Sequence, residues 1–142
     1  MFAGTGGSGV KNMPSAHSQA MPKKCVTCHM HREEKEKEEK AGTPLQKGGH
    51  TFRSNEKVCL KCHEDPKPLV AEWRTEASSL LKRLKSLLDS TPSKTSESYK
   101  AAKLNYNIVI ADGGVGVHNP KYAKALLQHS ISSLAVESVW KR

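Results

Sequence analysis

Two short clusters of cysteine and histidine hold the residues whose types and spacing can do chemistry. Residues 25–29 and 59–63 both read Cys-x-x-Cys-His, which is the attachment motif of a c-type haem. Two thiols three positions apart lie on one side of a turn, so each can add to a vinyl group of the same porphyrin, and the adjacent imidazole then faces the iron. The motifs predict two covalently attached haem c groups, held by Cys25, Cys28, His29, Cys59, Cys62 and His63.

The four cysteines also admit two other interpretations. Paired Cys-x-x-Cys knuckles can bind one zinc ion, and the same thiols can form two disulfides or redox pairs. Neither alternative requires a histidine after the second cysteine, yet one follows both pairs in a chain with only 7 histidines among 142 residues. The gap between Cys28 and Cys59 is also long for a zinc ribbon. The sequence therefore favours haem.

The other five histidines are candidates for the second axial ligand of each iron. His118 stands in a Gly-rich turn directly before a predicted helix, where the backbone can approach a flat cofactor closely. His17 precedes the first motif in a predicted loop, and His50 follows two glycines in a predicted turn. His129 falls on the polar side of a predicted helix, and His31 is too near the first motif to reach the opposite face of its haem. The alternative ligands are the thioethers of Met13, Met21 and Met30.

The segments around the motifs predict three parts of the chain. Residues 1–20 are rich in Gly and Ser, so we expect a flexible lead that carries one candidate ligand. Residues 21–66 contain both motifs and should have little regular structure. Within them, residues 32–40 alternate in charge, which is typical of a solvent-exposed helix or loop, and the Gly, Pro and Thr of residues 41–49 end it. Residues 67–142 should form a helical domain that supplies another candidate ligand.

Three apolar stripes predict three helices in this C-terminal part. Thr91-Pro92 ends the first helix, and residues 93–95 can cap the second. Asn119-Pro120 predicts the start of the third helix, with Asn as its N-cap. The fold class expected is all-α, with a haem-binding segment followed by a three-helix C-terminal bundle or helical extension. The stripes are Trp73, Ala77, Leu80, Leu84 and Leu87, widened by Leu81 and Leu88; then Ala101, Leu104, Ile108 and Ala111; then Ala123, Leu127, Ile131 and Leu134.

Composition narrows the classes of protein that remain. Aromatic residues make up only 5% of the chain, and two porphyrins would supply the large flat apolar bodies that its core lacks. The net charge of +9 suggests an acidic partner. The lysines are not interleaved with aromatic residues and no nucleic-acid motif is present, so nucleic-acid binding is not expected. No apolar run approaches the roughly 20 residues of a membrane helix, which excludes a membrane span.

The order of these motifs resembles the C-terminal part of the multihaem cytochrome c nitrite reductase superfamily. That superfamily includes the pentahaem ammonia-forming nitrite reductases and the octahaem hydroxylamine oxidoreductases. The resemblance rests on residues 25–30, on the His-Thr-Phe segment at residues 50–52, and on the Gly-Val-His-Asn-Pro segment at residues 116–120 before the terminal helix. It spans residues 15–140.

The resemblance implies an axial partner for each iron. It pairs His118 with His29, and His17 with His63. It also implies that His50 ligates a haem bound earlier in the chain, but this chain has no earlier motif. His50 then has three alternatives: it is idle, it replaces His17, or it ligates a haem on another chain and makes the protein a subunit of a polymer or complex.

Electron transfer is the function that these features favour. The family's nitrite reductases use a Cys-x-x-Cys-Lys motif at the catalytic haem, and this chain has none. Bis-His haems have no open iron site, so we expect an electron carrier and not an enzyme. The expected partners are other redox proteins or further copies of the chain. The alternatives are a small-molecule-reducing haem enzyme with one open iron site, and a haem-bearing subunit of a filament or larger multihaem chain.

Covalent haem attachment predicts where the protein works. It takes place outside the cytoplasm, so we expect a periplasmic or extracellular protein. Residues 1–10 are Gly-rich and lack the apolar core of a secretory signal. Either the signal has been removed or the chain is part of a longer precursor.

Overall fold

The structure, a computed structural model, describes residues 1–21, 23–31, 53–54 and 56–140. Within these ranges the regular structure is helical and contains no strand, which confirms the all-α prediction. The elements in chain order are α1 (Ala16–Ala20), α2 (Cys25–His29), a 3₁₀ helix (Glu56–Lys61), α3 (Pro66–Ser90), α4 (Glu97–Ala111) and α5 (Pro120–Trp140). The predicted charge run, the turn after it and the candidate ligand His50 lie outside the described residues.

The chain divides into two compact units. The first, which we call the helical unit, comprises Met1–Gln19 and Val70–Arg142. The second, the motif unit, comprises Ala20–Leu69 and contains both Cys-x-x-Cys-His segments. The N-terminal residues thus belong to the helical unit, whereas the sequence suggested a separate lead.

Three helices of the helical unit share a hydrophobic core. All four residues of the stripe predicted on α5 are buried, and the Leu-rich side of α3 joins them. Because all three helices contribute buried residues to one core cluster, the arrangement agrees with the predicted helical C-terminal part. The core residues are Leu81, Leu84, Leu88, Ala102, Val109, Tyr122, Ala123, Leu126, Leu127, Ile131 and Leu134.

The stripe predicted on α4 was wrong by one position. Leu104 is 46% exposed, whereas the buried residues of this helix are Ala102, Asn105 and Val109. The polar Asn105 occupies a core position, so a pattern search for apolar residues selects the neighbouring face. A side chain this polar is buried only where its hydrogen bonds are satisfied.

Asn105 satisfies its hydrogen bonds with the N-terminal segment. Its Oδ1 accepts from the backbone N–H of Ser8 at 2.8 Å, and its Nδ2 donates to the Ser8 carbonyl and to Ser130 Oγ, both at 3.0 Å. The neighbouring Gly7 N–H donates to Tyr122 Oη at 2.9 Å, and a methyl group at Gly7 would overlap Leu126. The segment expected to be a flexible lead is instead bonded to the helical core.

The helix ends follow local capping rules. The Ser96 side chain accepts from the Tyr99 N–H at 3.2 Å, so the cap of α4 lies one residue beyond the predicted residues 93–95. The Asn119 Oδ1 accepts from the Tyr122 N–H at 3.2 Å, which confirms the predicted cap of α5. The Asn119 Nδ2 also donates to the Met13 carbonyl at 2.7 Å, which holds the N-terminal segment at a second place.

We expect Asn105→Ala to destabilise the chain by about 1–3 kcal/mol, because the Ser8 backbone groups lose their buried partners. Urea unfolding measures the loss, and hydrogen exchange at Gly7 and Ser8 should become faster. Asn107→Ala on the exposed side of the same helix is the control, with a change near zero. Equal losses in the two variants would contradict this role of Asn105.

Candidate haem-attachment site

The first motif forms a helical turn of its own. Helix α2 begins at Cys25 and ends at His29, so the two cysteines, three residues apart, lie on one side of it. Lys24 has a φ of 46°, in the left-handed region, and this turns the chain sharply into the helix. Both thiols are free; Cys25 is exposed, and Cys28 is half-buried with its Sγ 3.8 Å from the Sδ of Met21.

The second motif uses a tighter turn. The 3₁₀ helix ends at Lys61, and the N–H groups of Cys62 and His63 both donate to the Cys59 carbonyl, at 3.0 and 2.9 Å. Residues i and i+3 eclipse in such a turn, which places the two cysteines on the same side. Cys59 is half-buried, Cys62 is exposed, and both are free thiols. In each motif the two cysteines are therefore three residues apart on a helical turn.

The structure brings the two motifs together within the motif unit. Helix α2 contacts the 3₁₀ helix. Burial raises the pKa of the Cys28 thiol, and the neighbouring Cys59 and Cys25 thiols raise it further. Burial also raises the pKa of the Cys59 thiol, with a contribution from Glu56. Redox-active thiols usually have lowered pKa values, so the raised pKa values of Cys28 and Cys59 do not favour the redox-pair alternative.

Apolar side chains beside the thiols are exposed. Val26, inside the first motif, is 49% exposed, and Leu60, inside the second, is 55% exposed. Met30, which follows His29, is exposed as well. A flat apolar group attached at the neighbouring thiols would cover such side chains, so the residues present fit a porphyrin.

His118 lies in the loop between α4 and α5, within the helical unit. Its Nδ1 is 2.8 Å from Oδ1 of Asp112, the C-cap residue directly after α4. A carboxylate only accepts hydrogen bonds, so Nδ1 carries the proton and Nε2 is the nitrogen suited to bind a metal. The hydrogen bond to Asp112 raises the pKa of His118, although partial burial opposes the shift.

Glycines make this placement of His118 feasible. A Cβ at Gly114 would lie 2.8 Å from His118 Nδ1 and 3.0 Å from Asp112 Oδ2. Gly116 has a φ of +87° and packs beside Ala77 of α3. The Gly-rich turn was predicted to admit a flat cofactor; in the structure, its glycines admit the imidazole and the neighbouring helix.

The other candidate ligands are placed as follows. His17 lies on α1 and not in the predicted loop, and its backbone N–H donates to Ser15 Oγ at 3.3 Å. His129 is exposed on α5, which confirms the prediction of a polar-face residue. His17 and His118 belong to the helical unit, whereas His29 and His63 belong to the motif unit. The axial pairings therefore stay predictions.

Asp112, the hydrogen-bond partner of the candidate ligand His118, is a site residue that sequence reasoning missed. It lies six positions before His118, directly before two glycines, and this neighbourhood was the available signal. The described part of the chain contains no group of three or more His, Cys, Asp or Glu side chains that could hold a metal ion. Among the helices described, none is long and apolar enough to cross a membrane.

Comparison of the chain with protein-family models, curated proteins and solved structures finds no match. The resemblance to the nitrite reductase superfamily stays a prediction from the motifs themselves.

We expect Gly116→Ala to destabilise the chain more than Gly113→Ala does. Gly113 has a φ of +66° with open space around it. The free energy of unfolding of its variant should therefore fall only by the cost of placing alanine in the left-handed region, about 1–2 kcal/mol. At Gly116 the new methyl group would also lie 3.1 Å from Ala77 Cβ. Urea unfolding of both variants gives the difference, and equal losses would contradict the packing of this loop on α3.

Proposed function

We propose that the protein is a dihaem c-type cytochrome that transfers electrons. The observation that carries this proposal is the contact between two Cys-x-x-Cys-His motifs, each turned so that its two free thiols lie on one side. Neighbouring motifs would hold two redox groups near each other, as electron exchange between them requires. Cys25, Cys28, Cys59 and Cys62 would form the thioether bonds, and His29 and His63 would be the proximal ligands.

The chain's own residues have three tasks in this proposal. When bound, each haem supplies an iron that accepts and returns one electron. The thioether bonds hold the group even where the protein core is small, and the two proximal imidazoles orient it. Val26 and Leu60 would pack on it and exclude water, which favours electron exchange over side reactions at the iron.

We further infer that His118 and His17 supply the distal ligands. Metal-ligating histidines typically donate the other ring N–H to a carboxylate or carbonyl, and the 2.8 Å bond from His118 to Asp112 is of that type. Bis-His ligation would leave no open iron position, so an electron carrier is favoured over a small-molecule-reducing enzyme. His50 stays a candidate for replacing His17 or for ligating a haem on another chain.

The partners proposed are other redox proteins or further copies of the chain. The net charge of +9 favours redox partners with acidic docking surfaces. Covalent haem attachment also implies a periplasmic or extracellular protein. Purification from the native source, followed by identification of co-purifying cytochromes, tests the partners and the compartment together.

Intact mass under denaturing conditions tests haem attachment directly. Covalent haem survives denaturation, so the chain produced with haem-attachment machinery should gain roughly 1.2 kDa, the mass of two haems. The paired variant Cys25→Ser/Cys28→Ser should gain about half of that. The matched variant Cys59→Ser/Cys62→Ser should do the same.

A mass equal to the bare chain, or one lower by about 4 Da for two disulfides, would overturn the proposal. A zinc adduct seen only in native spectra would instead support the zinc alternative. Met21→Leu is the matched control beside the first motif, and it should leave the gain of two haems unchanged.

The axial ligands are tested by removing one imidazole at a time. In the haem-loaded protein, His118→Ala should convert one haem from low spin to high spin, because its sixth position becomes open. His17→Ala and His50→Ala, measured in parallel by electron paramagnetic resonance, identify the ligand of the second haem. His129→Ala is the control and should leave both haems low spin. Two low-spin haems in His118→Ala would contradict its assignment as a ligand.

A further inference from the structure

The carboxyl group of Asp112 lies where burial disfavours a charged side chain. Its side chain is only 8% exposed. Oδ1 accepts the hydrogen bond from His118, and Oδ2 is buried with no hydrogen-bond partner in the described part of the chain. Burying a carboxylate lowers stability unless it is paired, so helix packing alone does not account for an aspartate at this position. In the described part of the chain, the hydrogen-bond partner of the Asp112 carboxyl group is the imidazole of His118.

We propose that Asp112 is a positioning residue that fixes the tautomer and orientation of His118 and strengthens it as an iron ligand. The inference rests on the proposed function, in which His118 is an axial haem ligand. With the proton on Nδ1 held by the carboxylate, Nε2 is the donor nitrogen. The carboxylate also increases the electron density on the imidazole ring of His118. This favours the ferric state of the haem that His118 ligates.

The backbone makes this pair rigid. The Asp112 N–H donates to the Ile108 carbonyl at 3.2 Å, so the carboxylate projects from the last turn of α4. The Gly114 backbone lies against both the ring of His118 and the carboxylate, where even a methyl group would be too close. Directly after His118, Asn119 caps α5. The ring therefore has little freedom to turn away from Asp112.

The reduction potential of the haem ligated by His118 distinguishes the two roles that Asp112 could have. A merely structural role would leave this potential unchanged. In the haem-loaded protein, Asp112→Ala should raise the potential of one haem and leave the other unchanged. Asp112→Asn keeps a hydrogen-bond acceptor but removes the charge, so it should raise the same potential by a smaller amount. Loss of a supporting carboxylate typically weakens a metal ligand by about 10–100-fold. Cyanide should thus displace His118 at least about tenfold more readily in Asp112→Ala.

Asp89→Asn is the matched control. Asp89 lies on α3 in the same unit, where it pairs in solvent with Lys85 at 2.6 Å. Its removal changes the net charge as Asp112→Asn does, but it should leave both potentials and the cyanide affinity at their wild-type values. A potential shift equal to that of Asp112→Asn would mean that only the overall charge acts.

The variant His118→Ala tests whether His118 ligates a haem, independently of the role of Asp112. If His118→Ala opens one haem while both Asp112 variants keep wild-type potentials and cyanide affinity, the inference is overturned and the ligation stands. If both haems stay low spin in His118→Ala, the ligation itself fails. Should Asp112→Ala lose its helical circular dichroism, Asp112→Asn decides, and an unchanged potential in that variant overturns the inference.

Discussion

The helical unit depends on side-chain hydrogen bonds to the backbone N–H and carbonyl groups of a non-helical segment that lies against its core. Buried N–H and carbonyl groups need partners, and helices cannot supply them from their own hydrogen-bonded backbones. Here the buried amide of Asn105 serves both backbone groups of Ser8, and Asn119 serves the carbonyl of Met13. This explains why α4 keeps an asparagine in its buried face, where an apolar residue would leave the segment without partners.

The same constraint reaches the candidate ligand. Asn119 holds the N-terminal segment, caps α5 and directly follows His118. Asp112 caps the C-terminus of α4 and forms a hydrogen bond with the ring of His118, so the loop between the two helices is held at both ends. Between them Val115 adopts a φ of 47°, an unusual conformation for a β-branched residue that the surrounding packing must impose. Tertiary packing at both ends of the loop thus fixes the position of the His118 ring.

The motif unit follows a different physical principle. Its two helical turns are short, and each needs only a few backbone hydrogen bonds to bring a pair of cysteines to one side. Inside the motifs, the apolar side chains of Val26 and Leu60 are exposed, and the proposed haem groups would cover them. Two modes of positioning thus serve the proposed cytochrome: covalent attachment of haem in the motif unit, and tertiary packing for the histidine in the helical unit.

The sequence by itself determined the two motifs, the all-α class, the start of α5 and the buried stripe of that helix. These features depend on neighbours within a few residues, through thiol spacing, capping and helical periodicity. Only the tertiary structure decided the buried face of α4, the bonding of the N-terminal segment and the pairing of Asp112 with His118. Asn105 and Ser8 are 97 positions apart, and their complementarity has no local signature. Asp112 and His118 are near in sequence, but their contact depends on how the glycine loop folds between two packed helices.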